Sequence, residues 1–316
     1  MDPYSLVTRN TVEVVTDEEL QALLKKPRPK VYAGYEPSGE IHLGHLVTVN
    51  KLLDMQKAGF EVVVLLADLH AFLNRKGTME EVQALAEYNK KCFEGLGLID
   101  VTYVLGSDLQ LSPEYELLML KLSQEVTLNR ATRSMDEVGR QMEHPTVSQM
   151  IYPIMQITDI ATLGVDAAVG GIDQRKIHML AREYLPGHGY PTPVCLHTPI
   201  LNGLDGKKMS SSQKNYISVA EDEDSIRKKM NKAYCPKETE ENPVLQMLQF
   251  HLFPRFNEIT LHRPEKFGGD LTFTSYEALS EAYGSGAIHP ADLKKAAGEY
   301  MVELLRPVRE YLESHP

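Results

Sequence analysis

Tyr35-Glu36-Pro37-Ser38-Gly39-Glu40-Ile41-His42-Leu43-Gly44-His45 is the stretch on which the reading of this chain turns. It follows Lys30–Tyr35, which reads as a strand, and precedes Leu46–Ala58, whose apolar residues recur with helical period. Its glycines and imidazoles therefore lie at a helix N-terminus, where free backbone N–H groups favour anions. Gly44 permits close approach of a bulky ligand, and His42 and His45 can donate hydrogen bonds to phosphate oxygens. Taken alone, an HxGH sequence is read at least as well as two surface histidines on a turn.

Outward from this point, β-rich and helical patterns alternate. Glu61–Ala67 is an apolar run of the kind buried on both faces of a sheet, and Val101–Leu105 reads as a strand. Two further short strands are predicted at Val165–Val169 and near Pro193–Cys195. Helices are predicted over Met79–Leu96, Pro113–Leu128, Val147–Leu163 with an interruption near Pro153, and Gln174–Tyr184. The alternation predicts an α/β fold with a parallel sheet covered on both faces, with ligands at the carboxyl ends of its strands. From about Asp222 the pattern becomes helical (Ser225–Tyr234, Val244–Phe250, Ser275–Ala282, Ala291–Tyr311), with little β signal. A boundary near residue 220 is expected, dividing 1–220 from 221–316.

The chain has 316 residues, 42% hydrophobic and 24% charged, a composition that excludes disorder and collagen-like repeats. Its longest apolar run, around Val62–Ala67, is far below the roughly 18 residues of a membrane span. Met1-Asp2-Pro3-Tyr4 lacks a basic-then-apolar secretory pattern, so a cytoplasmic protein with no membrane partner is expected. Cys92, Cys195 and Cys235 are scattered, which favours free thiols over a disulfide framework or a thiolate metal site. The net charge of −11 argues against non-specific coating of nucleic acid and against DNA as a partner. It leaves room for a local basic track serving one structured RNA. Lys25-Lys26-Pro27-Arg28-Pro29-Lys30 and Arg227-Lys228-Lys229 with Lys232 are such clusters, each equally readable as a solvated face.

A second segment changes the reading of the first. Gly203-Leu204-Asp205-Gly206-Lys207-Lys208-Met209-Ser210-Ser211-Ser212 is a Gly-flanked basic loop. By itself it reads as a solvated linker. A lysine on a mobile loop can also close over a triphosphate and meet the charge that develops as pyrophosphate leaves. HxGH early and KMSSS late, bracketing a parallel α/β pattern, resemble the signature pair of class I aminoacyl-tRNA synthetases. No Walker A loop and no GxGxxG compete with them. Between the two, Tyr152, Gln156 and Asp159 stand at i, i+4 and i+7 on one face of an otherwise apolar helix. A buried carboxylate and amide need partners, either internal ones or the two ends of a small polar ligand.

Over nearly its whole length the chain resembles the tyrosyl-tRNA synthetases of archaeal and eukaryotic type. The stretches that carry the resemblance are Tyr32–Gly39, Leu65–His70, Ile151–Gln156, Gly164–Asp166, Gly170–Lys176, Arg263–Asp270 and His289–Lys294. The resemblance implies a Rossmann-like catalytic domain followed by a smaller, mainly α-helical anticodon-binding domain. It implies that Tyr32 and Asp159 bond the phenolic hydroxyl of tyrosine. Tyr152, Gln156 and Gln174 would hold its α-amino group, and Gly34 and Leu65 would shape the pocket. A site that satisfies a substrate hydroxyl rejects phenylalanine, because its polar partners would be left unpaired.

The resemblance further implies that ATP, with Mg²⁺ bridging its phosphates, lies across the start of the HxGH helix. His42 and His45 would sit at the phosphates, Gly44 under the adenosine, and Asp173 at the ribose, although Asp173 suits a helix N-cap equally well. Glu36, Gly171, Met209, Ser210 and Ser211 complete the implied ATP site, and Lys208 would meet the leaving pyrophosphate. No protein-bound metal site is expected. For tRNA(Tyr), Arg133, Arg175 and Lys176 are implied near the first acceptor pair, and Phe267, His289, Pro290 and Asp292 around the anticodon. Phe267 and Pro290 are open to a second reading as core. A homodimer is implied too.

Two departures stand out: Ala291, where a larger residue is more usual, and Gln213-Lys214-Asn215 in place of Lys-Gly-Asn. A tryptophanyl synthetase shares the scaffold, but an indole offers no hydroxyl to Asp159. A non-catalytic RNA-binding relative would be expected to have lost His42, His45 or Lys208. A generic nucleotidyltransferase would lack the helical C-terminal third.

Overall fold

The computed structural model describes residues 1–135, 146–209 and 213–315. In chain order the helices are α1 (Pro3–Thr8), α2 (Asp17–Leu23), α3 (Leu43–Lys57), α4 (Asp68–Leu73), α5 (Met79–Gly95), α6 (Gly106–Gln110) and α7 (Pro113–Glu125). They continue with α8 (Leu128–Met135), α9 (Val147–Thr162), α10 (Arg175–Tyr184), α11 (Glu223–Lys232), α12 (Pro243–Met247), α13 (Tyr276–Gly284) and α14 (Pro290–Ser314). The strands are β1 (Glu13–Val15), β2 (Lys30–Tyr35), β3 (Glu61–Leu66), β4 (Thr102–Leu105), β5 (Ala167–Gly171), β6 (Val194–Thr198), β7 (Ile259–Leu261) and β8 (Leu271–Phe273).

Two compact units emerge. The first comprises Met1–Gly39, Lys51–Lys90 and Leu98–Pro199. It contains a six-stranded sheet in the order β1-β6-β5-β2-β3-β4. Strands β2 to β6 run parallel, and β3 is buried from its second residue to its last, as a strand covered on both faces must be. The register sets Tyr32 beside Val63 and Ala168, and Gly34 beside Leu65. An apolar cluster including Tyr32, Leu65, Leu122, Ile157 and Leu180 packs α7, α9 and α10 against the sheet.

The sheet is not wholly parallel as expected. Strand β1 closes one edge antiparallel to β6, Glu13 opposite His197. Three residues are too few to show an alternation, so this strand left no signal in the sequence. The expected break at Pro153 does not occur: α9 runs through it. Proline removes one helical hydrogen bond, and the burial of most of the residues from Tyr152 to Ala161 outweighs that loss. The helix expected over Pro113–Leu128 ends at Glu125, and Leu128–Met135 forms a separate helix.

The second unit comprises Glu40–Asn50, Lys91–Gly97 and Ile200–Pro316. Compactness thus divides the chain differently from a single cut near residue 220. Here α11 lies along α14, and a Cβ on Gly298 would come 3.3 Å from that of Met230. At Gly95 a Cβ would lie 2.8 Å from the Val308 backbone, so only glycine admits α14 this closely. Strands β7 and β8 form an antiparallel hairpin where little β structure was expected, again in three-residue pieces.

Candidate active site

In the first unit, Asp159 of α9 is 1% exposed. Its Oδ1 accepts from Gln110 Nε2 at 2.8 Å and lies 2.8 Å from the Tyr115 hydroxyl. Its Oδ2 has no hydrogen-bond partner, and His70 Nε2 stands 3.7 Å away. Burial pushes the Asp159 carboxyl up to about 7, although the bonds from Gln110 and Tyr115 pull it down. His70 Nδ1 lies 3.2 Å from Gln110 Nε2, a donor, so the imidazole proton belongs on Nε2. The ring of His70 meets Tyr152 edge-on at 4.5 Å.

Tyr32 is fully buried, and burial followed by the charge on Asp159 holds its hydroxyl above the usual phenol range. Tyr152 is shifted the same way by burial and by Glu36. Glu36 accepts from Asn74 Nδ2 at 2.7 Å, which sets it at the Tyr152 end of the pocket. Gln156 Nε2 donates to Gln174 Oε1 at 3.2 Å. Gly34, Leu65 and Tyr32 share one corner, a Cβ on Gly34 falling 3.4 Å from the Tyr32 ring and 3.9 Å from Leu65 Cδ2. A buried carboxylate oxygen without a donor, among the rings of Tyr32, Tyr115, Tyr152 and His70, is fitted to accept a hydrogen bond from a ligand hydroxyl.

Asp173 is not an N-cap. It lies inside the 3₁₀ turn Ile172–Gln174, which Gly171 caps, and a Cβ on Gly171 would meet its Oδ1 at 2.5 Å. Gly171 thus leaves room for the carboxylate beside it, which a larger residue would turn aside.

In the second unit the two signature segments lie together. Residues 41–43 are joined to 217–219, the Leu43 N–H reaching Ile217 O at 3.1 Å and the Val219 N–H reaching Ile41 O at 2.9 Å. At the start of α3, His45 Nδ1 accepts the His42 N–H at 3.2 Å, and His42 Nδ1 accepts the Gly44 N–H at 3.1 Å. Each imidazole proton is thereby assigned to Nε2, making that atom a donor. Burial lowers His42 to about 3, aided by His45, and lowers His45 to about 4. Both rings are neutral donors near pH 7, not cations. Gly44 is closely packed on its Cβ side: a Cβ there would lie 2.9 Å from His42 Cε1 and 3.3 Å from Met209 Sδ.

Lys208 is exposed, and its backbone is fixed at the loop base. Asn202 and Lys208 form a bridge, and Asn215 Nδ2 donates to Lys208 O at 3.2 Å and to Asp205 Oδ1 at 2.7 Å. Gly203 makes room for this clasp, since a Cβ on it would fall 2.2 Å from Asn215 Nδ2. Ser210 and Ser211 lie outside the described residues.

The residues expected to meet RNA divide between the units. Arg133 is exposed at the end of α8, and Arg175 and Lys176 open α10. Phe267 is 61% exposed on the loop of the β7–β8 hairpin, with Lys266 Nζ 4.9 Å from its ring centre, so it is not core. His289 caps α14, its Nδ1 accepting the Ala291 N–H at 3.1 Å, with Pro290 and Asp292 in the first turn. Gln110, Tyr115 and the role of His70 were missed from sequence. The first two stand more than 40 positions from Asp159, beyond any local pattern. Among the described residues no three His, Cys, Asp or Glu side chains converge as metal ligands.

A family model described as class I tRNA synthetases (W and Y) matches residues 24–306. A tyrosine–tRNA ligase of Methanospirillum hungatei is 73% identical over 313 residues, 99% of this chain and 100% of the relative. Another, of Methanoculleus marisnigri, is 70% identical over 99% of each. A crystal structure of tyrosyl-tRNA synthetase complexed with L-tyrosine from Archaeoglobus fulgidus is 58% identical, covers 98% of each chain, and superposes with a TM-score of 0.96.

Proposed function

Since this chain belongs to the class I tRNA synthetases, and among them to the tyrosine–tRNA ligases, we propose that its buried Asp159 reads the phenolic hydroxyl of tyrosine together with Tyr32. The observation that carries this reading is the unpartnered Asp159 Oδ2. In it, Tyr152, Gln156 and Gln174 hold the α-amino group, and Gly34 and Leu65 bound the ring.

The reaction of a tyrosine–tRNA ligase has two steps. The tyrosine carboxylate attacks the α-phosphate of ATP, forming tyrosyl-adenylate and expelling pyrophosphate. The 3'-terminal adenosine of tRNA(Tyr) then takes the tyrosyl group. ATP is the substrate, and we take it to enter as its Mg²⁺ complex, the ion held by phosphates and water. No side chain need become a nucleophile. The neutral Nε2–H groups of His42 and His45 donate to phosphate oxygens, Asp173 takes the ribose, and Lys208 meets the charge on the departing pyrophosphate. Glu36, Gly44, Gly171, Met209, Ser210 and Ser211 belong to the same nucleotide site.

Arg133, Arg175 and Lys176 serve the acceptor end of tRNA, and Phe267, His289, Pro290 and Asp292 the anticodon. Residues 221–316 form the anticodon-reading part. A homodimer in the cytoplasm is the working form. Supporting the dimer, Leu111, Leu117, Leu120 and Leu128 are each more than half exposed along one segment, an apolar face of the kind that pairs with another surface. No helix among the described residues is long and apolar enough to cross a membrane.

Amino-acid-dependent ATP–pyrophosphate exchange tests the reading, run with tyrosine, phenylalanine and tryptophan in parallel. Exchange with tyrosine alone is expected; exchange with tryptophan would overturn the pocket assignment.

The pH profile gives a second test. The hydroxyl donates to the ionised carboxylate, so only enzyme with Asp159 deprotonated binds tyrosine well. With Asp159 at about 7, kcat/KM for tyrosine rises about tenfold per pH unit below that value and levels above it. His70, at about 4, stays neutral throughout this range, as do His42 and His45, so none adds a limb. A profile flat from pH 5.5 to 8 (about the range over which the limb develops) would contradict the role of Asp159.

A further inference from the structure

Behind Arg175 the first unit contains a chain of polar groups that the chemistry above does not use. Glu13 of β1 stands opposite His197 of β6 in the ladder, and its Oε2 lies 2.9 Å from His197 Nδ1. His197 is fully buried, and its Nε2 lies 3.1 Å from Nδ1 of His178, which is also buried, on α10. The two rings stack with centres 5.2 Å apart. A carboxylate only accepts, so His197 Nδ1 carries the proton and its Nε2 must accept from His178 Nδ1–H. The order of donation is fixed: His178 to His197 to Glu13. On its outer side the same carboxylate accepts Arg175 Nε with both oxygens, at 2.7 and 3.0 Å.

An ordinary surface ion pair between two flexible side chains contributes little and leaves the arginine to wander among rotamers. Here the carboxylate is 29% exposed and anchored from beneath by a buried imidazole, so the arginine it holds has one preferred orientation. Two imidazoles placed in a core where apolar side chains would pack without needing partners call for a reason beyond stability. Fixing a guanidinium before its ligand arrives lowers the ordering cost of binding.

We propose that Glu13, backed by His197 and His178, is a positioning residue that presents the Arg175 guanidinium to the acceptor end of the tRNA. This rests on the reading of Arg175 as an acceptor-stem contact. Glu13 touches neither tyrosine nor ATP in that reading, so its loss acts on tRNA alone. The proposal also makes Glu13 and Arg175 a single energetic unit, the second substitution adding nothing once the first is made.

The experiment compares Glu13→Gln, Glu13→Asp, Arg175→Ala and the Glu13→Gln/Arg175→Ala pair, each measured for tRNA aminoacylation and for tyrosine-dependent pyrophosphate exchange. Glu13→Gln is expected to raise the KM for tRNA about five- to tenfold, the scale of the difference between a charge-assisted and a neutral hydrogen bond, and to leave exchange unchanged. Glu13→Asp recovers part of the loss, and the double variant is no worse than Arg175→Ala. Wild-type KM in Glu13→Gln alongside an impaired Arg175→Ala would overturn the positioning role and leave the Arg175 contact standing. An unimpaired Arg175→Ala would remove the contact and the proposal with it. A parallel fall in exchange, or additive losses in the double variant, would reduce Glu13 to a structural residue and also overturn the proposal. A tighter tRNA KM in Glu13→Gln would show a restraining latch instead, the opposite of what is proposed.

Discussion

Asp159→Asn is expected to lower kcat/KM for tyrosine activation by about 10²- to 10³-fold, with the fold intact. Asparagine preserves the shape of the carboxylate and keeps an acceptor for Gln110 Nε2 and the Tyr115 hydroxyl, which meet Oδ1 at 2.8 Å each. It replaces the unpartnered Oδ2 by an amide donor. The substrate hydroxyl then meets a donor where its proton should go, so the hydrogen bond to a charged group is lost and the hydroxyl's own proton is left without its acceptor. Losing a charge-assisted bond costs about 1.5–3 kcal/mol, and the unpaired proton adds to it. Each 1.36 kcal/mol is about tenfold in rate, which gives the stated range.

Stability should move the other way. The folded-state pKa of Asp159 is raised to about 7 by burial, so the native protein holds this proton more tightly than the unfolded chain. The contribution of this group to stability therefore declines as pH rises from about 4 to about 7, and stays low above that. Asparagine removes the buried charge and this decline with it. At pH 8 the variant should melt no lower than the parent while activating tyrosine far more slowly. Pyrophosphate exchange and a thermal melt on the same sample separate the two effects. A loss below about tenfold would mean that Oδ2 does not receive the hydroxyl.

Lys208→Ala is the second large effect, an expected fall in kcat for adenylate formation of about 10²- to 10³-fold, the range found when one preorganised charge or donor is removed from a developing anion. Tyrosine KM should hardly change, because the lysine acts on charge that appears only as pyrophosphate departs. The backbone of Lys208 is held by the bridge to Asn202 and by Asn215 Nδ2 on its carbonyl, so the truncated side chain leaves the loop base in place. Lys208→Arg should restore part of the rate, since charge is kept and shape altered. Steady-state exchange at varied tyrosine distinguishes the outcomes. A parallel rise in tyrosine KM would recast Lys208 as part of the amino-acid pocket.

How far the sequence could lead is clearest in particular elements. Strand β2 spans the residues predicted for it and β3 falls one residue short, because each carries the buried apolar stretch (Val31–Ala33, Val62–Leu66) that a parallel strand inside the fold writes. Strand β1 and the β7–β8 hairpin wrote none, each strand being three residues long, and β1 is held by a partner distant in the chain. Pro153 misled for a related reason. Its penalty is local and visible, and the packing of α9 that overrides it is neither.

The site divides along the same line. HxGH, KMSSS and the helical spacing of Tyr152, Gln156 and Asp159 are properties of order along the chain, and the sequence by itself was enough to find them and to assign the family. Tertiary structure decided the rest. It gave Asp159 one satisfied oxygen and one open one, through Gln110 and Tyr115 from elsewhere in the chain. It made His42 and His45 neutral, packed an imidazole and a thioether against the Cβ side of Gly44, and put Glu13 against His197 and Arg175. Periodicity and turn chemistry act over a few neighbouring residues, so a linear sequence records them. A proton's free energy depends on which groups surround it and how much water they exclude, and folding alone assembles that neighbourhood.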